Sequence, residues 1–375
     1  RVAKIFPKTG FATQLNGSTQ YWSNSSPSNL DLNGPERLAN TGFETDTSNW
    51  VVRYGTYATS TAQKKSGSKS CLLIANGAGA AITSETITDA TTNKGTAEIW
   101  VYCGSAASTK SIKLWVIKQD STLIDSTTTT VTAVTWSKLV KNKQWDGTQT
   151  GLKVRIGFNG GASGDSLYID DASLTQAYDA LEIGVFKTAT SAADQNIGMF
   201  GVEGTYPLYT YIASATGRLR EITRDGTTEI ATTNDGADLS DGQWHSFAIT
   251  KDRTGNVTPY IDGQVYASPT SITAIGKLAP ATTKLCLGAY MSGVIEFFSG
   301  SFGSRQFVRF NSLSSDIATT IARINSMWKR QGFPKAYTGG TIVLDIDWRN
   351  QGMDKSNSGN HLTPTASPPI IQTKF

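Results

Sequence analysis

The chain of 375 residues predicts an all-β fold rich in turns. Three observations carry that prediction. The apolar residues are dominated by β-branched and aromatic types, which fit a pleated surface. Gly, Thr, Ser, Asn and Asp are abundant while prolines are few, the chemistry of many tight turns. Helical periodicity of useful length occurs once, between Ser314 and Arg330. The length admits two or three domains.

Composition also excludes classes of function. The formal net charge of +4 is spread along the chain, with Lys64-Lys65 the nearest approach to a basic cluster. A nucleic-acid partner is therefore not expected. No apolar run approaches the length of a membrane span, so membrane insertion is not expected, and the amino end RVAKIFPKTG lacks the apolar core of a signal peptide. The 3 cysteines, Cys71, Cys103 and Cys286, each lie in an apolar strand-like run, which predicts buried free thiols.

Taken in order, Phe11 to Asn33 reads as a hairpin about Asn16-Gly17 followed by a loop. Strands follow at Ser70 to Ala75, Thr96 to Tyr102 and Ile112 to Ile117. Thr127 to Val140 reads as a strand pair around Trp136, and Leu152 to Phe158 and Leu167 to Leu174 complete the set. Short strands at regular spacing with turn clusters between them read as a β-sandwich. A second series begins at Leu181 to Thr188 and continues with Asn196 to Val202, Leu208 to Ala213, Arg218 to Arg224 and Thr227 to Thr232. It contains the most informative stretch of the chain, DGQWHSFAITKDRTGNVTPYIDG, from Asp241 to Gly263. There Asp-Gly dipeptides bracket two alternating strands, and Asp262-Gly263 suits the positive φ angles of a two-residue hairpin turn. Further strands are expected at Lys284 to Gly288, Phe298 to Phe310 and Ile342 to Trp348. A short helix is expected from Ser314, as its cap, with Ala318, Ile321 and Ile324 on one face.

Chemistry-bearing residues are scarce. The 2 histidines, His245 and His361, cannot build a His-rich metal site and leave almost no material for a Ser-His-Asp triad. His245 is read as a hydrogen-bonded structural residue, His361 as a loop residue, and Trp244 as buried. A glycosidase needs paired carboxylates facing one groove. Asp345 and Asp347 are one candidate pair; Asp170 and Asp171, being adjacent, should point to opposite faces. Neither has a third carboxylate at strand spacing, so an enzyme is not expected. Exposed aromatics that stack on pyranose rings are the mark of a sugar site. Trp100, Trp115 and Trp136 lie in apolar strands and are assigned to the core. Tyr54, Tyr57 and Trp145, in Gly/Thr-rich or charged surroundings, are the candidate carbohydrate-binding residues.

Two resemblances order these readings. The Trp-His after Asp241-Gly242 and the Tyr-Ile-Asp-Gly ending at Gly263 resemble the laminin-G-like modules of the concanavalin-A-like jelly-roll class, and LNGSTQY with SPSNLDL resembles their opening. Between these, NTGFE, KSGSKS and YIDDASL are similar to the jelly-roll carbohydrate-binding modules, of the family 4, 9 and 22 type, attached to bacterial glycoside hydrolases. The resemblance implies two jelly-roll sandwiches, one inserted into an early loop of the other. The host would take residues 1–35 and 179–336 and the guest 36–178, while 337–375 would form an extension packed on the host. It also implies a structural calcium ion held by Glu44 and Asp171, with Asp170 as the alternative to Asp171. The tail DKSNSGNHLT resembles an ending found in bacteriophage virion and bacterial surface proteins. The implied function is a non-enzymatic virion structural or adhesion protein, on a virion surface or extracellular, a homo-oligomer meeting host-cell glycans and other virion proteins. The alternative is a carbohydrate-binding fragment of a surface adhesin or of a secreted polysaccharide-degrading enzyme.

Overall fold

The computed structural model describes residues 9–374 apart from 26–29, 31, 78, 88–93, 105–108, 145–150, 203–204, 279–283, 291–294, 332, 347–353, 357, 359–360, 367 and 369. The chain divides into two compact units, residues 1–32 with 178–375, and 33–177. The path leaves the first unit at Leu32 and returns at Tyr178, whose N–H donates to the Leu32 carbonyl at 2.9 Å. Within the second unit, Asn33–Glu36 pairs antiparallel with the closing strand Ser166–Ala177, so both ends of the guest lie side by side. Adjacent termini let a complete domain sit in one loop of another.

Among the described residues the host is a sandwich of a nine-stranded and a seven-stranded sheet. Its core includes Trp22, Phe186, Phe200, Phe247, Phe298 and Phe307. The helix Ile317–Gln331 lies on the other face of the larger sheet, packing Ile321 and Ile324 against Leu181, Val308, Phe310 and Tyr260. It begins two residues later than expected. The Thr320 N–H donates to the Asp316 carbonyl, which makes Asp316 the residue at the cap position in place of Ser314, and Ala318 is exposed. The tail does more than pack on the host. Gly340–Ile346 and Ile370–Lys374 add strands to the nine-stranded sheet, and Thr363–Thr365 adds one to the seven-stranded sheet.

Two sequence expectations change because a turn can join two sheets as easily as two neighbouring strands, and a third concerns burial. Thr9–Asn16 and Tyr21–Asn24 do not pair; the Asn16-Gly17 turn carries the chain from the larger host sheet to the smaller. In the guest, Leu123–Val131 and Trp136–Gln144 likewise lie in different sheets. Trp244 is half-buried instead of buried. The hairpin at Asp262-Gly263 forms as expected, with φ of 49° and 81° and Ile261 paired to Gln264.

His245 explains why the two Asp-Gly turns accompany each other. Its Nδ1 lies 2.8 Å from Asp262 Oδ2 and its Nε2 3.1 Å from Asp241 Oδ1, so one ring ties the two turns together. A ring that donates from both nitrogens is an imidazolium. The hydrogen bond to Asp262, opposed by burial and reinforced by Asp241, holds the His245 pKa above its ordinary value. Folding therefore favours the proton. The clamp's stabilisation is fully present below the unfolded histidine value of about 6.5 and is lost as pH rises through the higher folded value. Urea unfolding between about pH 6 and pH 8 should show stability falling with pH in the native chain. His245→Gln should flatten that slope; an unchanged slope would remove the clamp from the account.

Candidate functional sites

The guest is a two-sheet sandwich among the described residues, five strands facing six. Its core packs Leu73, Ile99, Val101, Leu114, Val116, Val154, Ile156 and Ile169 between the sheets. Because side chains alternate across a strand, that inner set determines which residues face outward. Trp115 lies between Leu114 and Val116, Trp100 between Ile99 and Val101, and Trp136 sits opposite Tyr102. All three tryptophans are half-buried and face away from the core. Their assignment to the core is corrected: apolar neighbours made whole strands look interior, while the period of two placed the tryptophans outside.

On the five-stranded sheet, register aligns Val51, Thr83, Arg155, Trp115 and Ser126 in one row across all the strands. An open groove of about 740 Å³, solvent included, lies over the Val51, Thr83 and Arg155 part of this face, lined also by Arg53, Glu85 and Lys153, with Trp115 and Tyr54 outside its lining. Val51 and Tyr54 are 60% and 57% exposed, and Leu123 on the outermost strand is 52% exposed. Cations accompany the rings: Arg53 Cζ is 5.6 Å from the Tyr54 ring centre and Lys113 Nζ 5.4 Å from that of Trp115. The Arg155 Nε–H donates to Thr83 Oγ1 at 3.1 Å. Burial, with Arg53 adding to it, holds the Arg155 pKa below its usual value.

The candidate binding residues are not brought together. Tyr54 ends Trp50–Tyr54 in the five-stranded sheet, whereas Tyr57 lies in Thr56–Ser60 of the six-stranded sheet. Gly55 makes that transfer at φ 86°, where a Cβ would stand 2.3 Å from the Ile74 carbonyl oxygen. Tyr57 is half-buried against the guest core and its hydroxyl donates to the Trp50 carbonyl at 3.0 Å, so it is an anchor and not part of an open platform. Trp145 lies outside the described residues. Trp115, assigned from the sequence to the core, and Arg155, not singled out there, are the residues that join Tyr54 on one face.

The carboxylates expected to hold a metal all meet one loop, residues 65–69. Glu44 Oε2 accepts from the Ser68 N–H at 2.8 Å and the Ser68 hydroxyl at 2.7 Å, and Asp170 Oδ2 accepts from the Lys65 and Ser66 N–H groups at 2.8 and 3.2 Å. The Ser66 hydroxyl donates to Asp171 Oδ1 at 2.6 Å. Asp170 and Asp171 thus meet the same loop and do not diverge, because a β-bulge interrupts the register there and Asp171 takes φ 46°. Glu44 Oε1 and Asp170 Oδ1 lie 3.8 and 3.9 Å from the point where a side chain on Gly42 would begin. Hard oxygens from Glu44 and fully buried Asp170, whose pKa burial raises, suit calcium. Among the described residues there is no group of three or more His, Cys, Asp or Glu arranged for a metal.

The host carries a second polar and aromatic cluster that the sequence did not disclose. Tyr206, Tyr209 and Tyr211 share the outer face of the seven-stranded sheet with Met199, the rings of Tyr209 and Tyr211 stacked 4.8 Å apart. The Tyr209 hydroxyl donates to Glu296, and the Tyr206 hydroxyl to Glu229 at 3.2 Å. These tyrosines are already buried. Of the carboxylates considered for catalysis, Asp345 accepts from Gln306 Nε2 at 3.0 Å, and Asp347 lies outside the described residues. His361 Nδ1 accepts from the Asp354 N–H at 3.0 Å in a loop. Cys71, Cys103 and Cys286 are free and buried, and burial pushes the Cys71 thiol up to about 12.

The chain is similar in part to known proteins. The solved structures most similar to the chain include a family 61 carbohydrate-binding module complexed with β-1,4-galactotriose, 17% identical, covering 38% of this chain and 98% of that one at a TM-score of 0.32. They include the xylan-binding domain CBM22-1 of Paenibacillus barcinonensis Xyn10C, 16% identical, covering 38% and 94% at 0.32. They also include tailspike protein 4 of bacteriophage CBA120, 14% identical, covering 37% and 21% at 0.30. A search of the curated proteins found no match. A laminin-G family model, the concanavalin A-like lectin/glucanases superfamily, matches residues 161–309, from within the guest's closing strand through the strand Ser299–Phe310, so the host sandwich is laminin-G-like in sequence.

Proposed function

We propose that the guest domain binds a glycan in the groove over its five-stranded sheet. The observation that carries this reading is the row Val51, Thr83, Arg155, Trp115, with the open ring of Tyr54 at its edge. Sugars present apolar ring faces edged by hydroxyls, and a flat sheet face offering aromatic rings beside guanidinium and hydroxyl donors matches both. The chain then acts by adhesion and not by catalysis, at a virion or cell surface, where a homo-oligomer raises weak single-site binding through avidity. The tail motif DKSNSGNHLT fits a virion protein and a bacterial surface adhesin alike. The same reading takes Glu44 and Asp170 as side-chain ligands of a structural calcium ion, with Asp171 beside them.

Binding of the full chain to immobilised polysaccharides tests the site. Tyr54→Ala and Trp115→Ala should each lower affinity about ten-fold, the loss typical of an aromatic anchor. Tyr57→Phe, which removes the hydroxyl that anchors to Trp50, should leave affinity unchanged. If no polysaccharide is retained, or the two alanine variants bind as the native chain does, the groove is not a glycan site.

A further inference from the structure

The charge of the groove is one-sided. Arg53, Lys153 and Arg155 line it and Lys113 stands over the Trp115 ring on the same face, whereas Glu85 is the carboxylate among the lining residues. Among the described residues none of these four cations is in an ion pair. Elsewhere in the guest the pattern is different: Lys110 pairs with Asp165, and Lys141 and Lys143 both pair with Asp125. The charge of Arg53 adds to burial in lowering the Arg155 pKa, and both arginines act on the Tyr54 hydroxyl, whose pKa is lowered first by its hydrogen bond to Arg53. Like charges gathered on one partly desolvated face cost stability and raise the affinity for an anion that neutralises them. A neutral xylan or galactan would have no use for them.

We infer that the ligand of this groove is an acidic polysaccharide, in which sugar rings pack on Tyr54, Trp115 and Val51 while ring carboxylates are held by the guanidinium groups of Arg53 and Arg155. The inference rests on the glycan reading above and narrows it to a chemical class. Arginine suits the role because its planar fork takes a carboxylate through two parallel hydrogen bonds, which a lysine cannot do. An aromatic ring with a cation beside it offers the two faces that a uronic acid presents, an apolar ring and an anionic edge. Nucleic acid also carries anions, yet Val51 and Tyr54 on one strand and Leu123 on the outermost give this face exposed apolar surface beside the cations, which a phosphate backbone would not use.

The full chain is titrated, at low and at moderate salt, with polygalacturonate, with neutral galactan and xylan, and with a short DNA duplex. Polygalacturonate should bind at least about ten-fold more tightly than the neutral chains, and its affinity should fall as salt rises. Arg155→Gln and Arg53→Gln should each reduce that binding about ten-fold and weaken its salt dependence, and Arg155→Lys should restore it only in part. Lys64→Gln, which removes the same charge from an exposed loop, should have no effect. Neutral chains binding as tightly as polygalacturonate, through Tyr54 and without salt dependence, would overturn the acidic ligand and leave the glycan site standing. Binding of no polysaccharide overturns both. DNA bound more tightly than polygalacturonate, with Tyr54→Ala unaffected, would make this a nucleic-acid face instead.

Discussion

Lys251→Met should destabilise the host sandwich by about 3–5 kcal/mol, the cost of leaving a buried charge without its partner. Lys251 and Glu221 are both fully buried, on facing sheets, and form an ion pair in the sandwich interior. Thr223 Oγ1 accepts from Lys251 Nζ at 2.7 Å and donates to Glu221 Oε1 at 2.8 Å, and the Pro207 carbonyl accepts from the ammonium as well. Burial pushes the Glu221 pKa up and the Lys251 pKa down, each opposed by the partner's charge. Removing the ammonium leaves a carboxylate that burial would then protonate or hydrate. The double variant Lys251→Met with Glu221→Leu should recover most of the loss, because replacing both members of a buried pair with apolar groups is often neutral. Calorimetry of the full chain should show the host transition falling by about 10 °C in the single variant, since about 2–4 °C accompanies each kcal/mol in a domain of this size. The guest transition should stay, because the guest has a core of its own. A single variant as stable as the native chain would mean that water reaches this pair.

The second large effect is expected from calcium. An ion that binds only the folded guest stabilises it by about 2.7 kcal/mol at a free concentration one hundred times its dissociation constant. Chelation should therefore lower the guest transition by several degrees and leave the host transition in place. Glu44→Gln and Asp170→Asn should abolish the response to calcium. Both carboxylates also accept hydrogen bonds from the Lys65 to Lys69 loop, so the variants lose some stability even without metal. The response to added ion, and not the starting stability, is thus the readout. A native chain that neither binds calcium in equilibrium dialysis nor shifts on chelation would sink the proposal and leave the carboxylates as loop anchors.

What the sequence by itself determined was the class of fold, the Asp262-Gly263 hairpin and the structural place of His245. Each rests on local chemistry: alternation over a few residues, a dipeptide that accepts positive φ, and, for His245, an alternating strand in a chain with almost no other material for a catalytic site. Only the tertiary structure decided which sheet each strand joins. The turns after Asn16 and Val131 look local in sequence but hand the chain across the sandwich, and Gly55 sends Tyr54 and Tyr57 to different sheets. It also decided that Asp170 and Asp171 converge, since a bulge breaks the alternation that would separate them. The groove was hidden for the same reason. Val51, Arg155 and Trp115 come from strands far apart in the chain, and their common face exists only once antiparallel register places them in one row. Alternation says which way a side chain points relative to its own neighbours. Which residues from other strands it meets is determined by long-range pairing, and that requires the whole sheet.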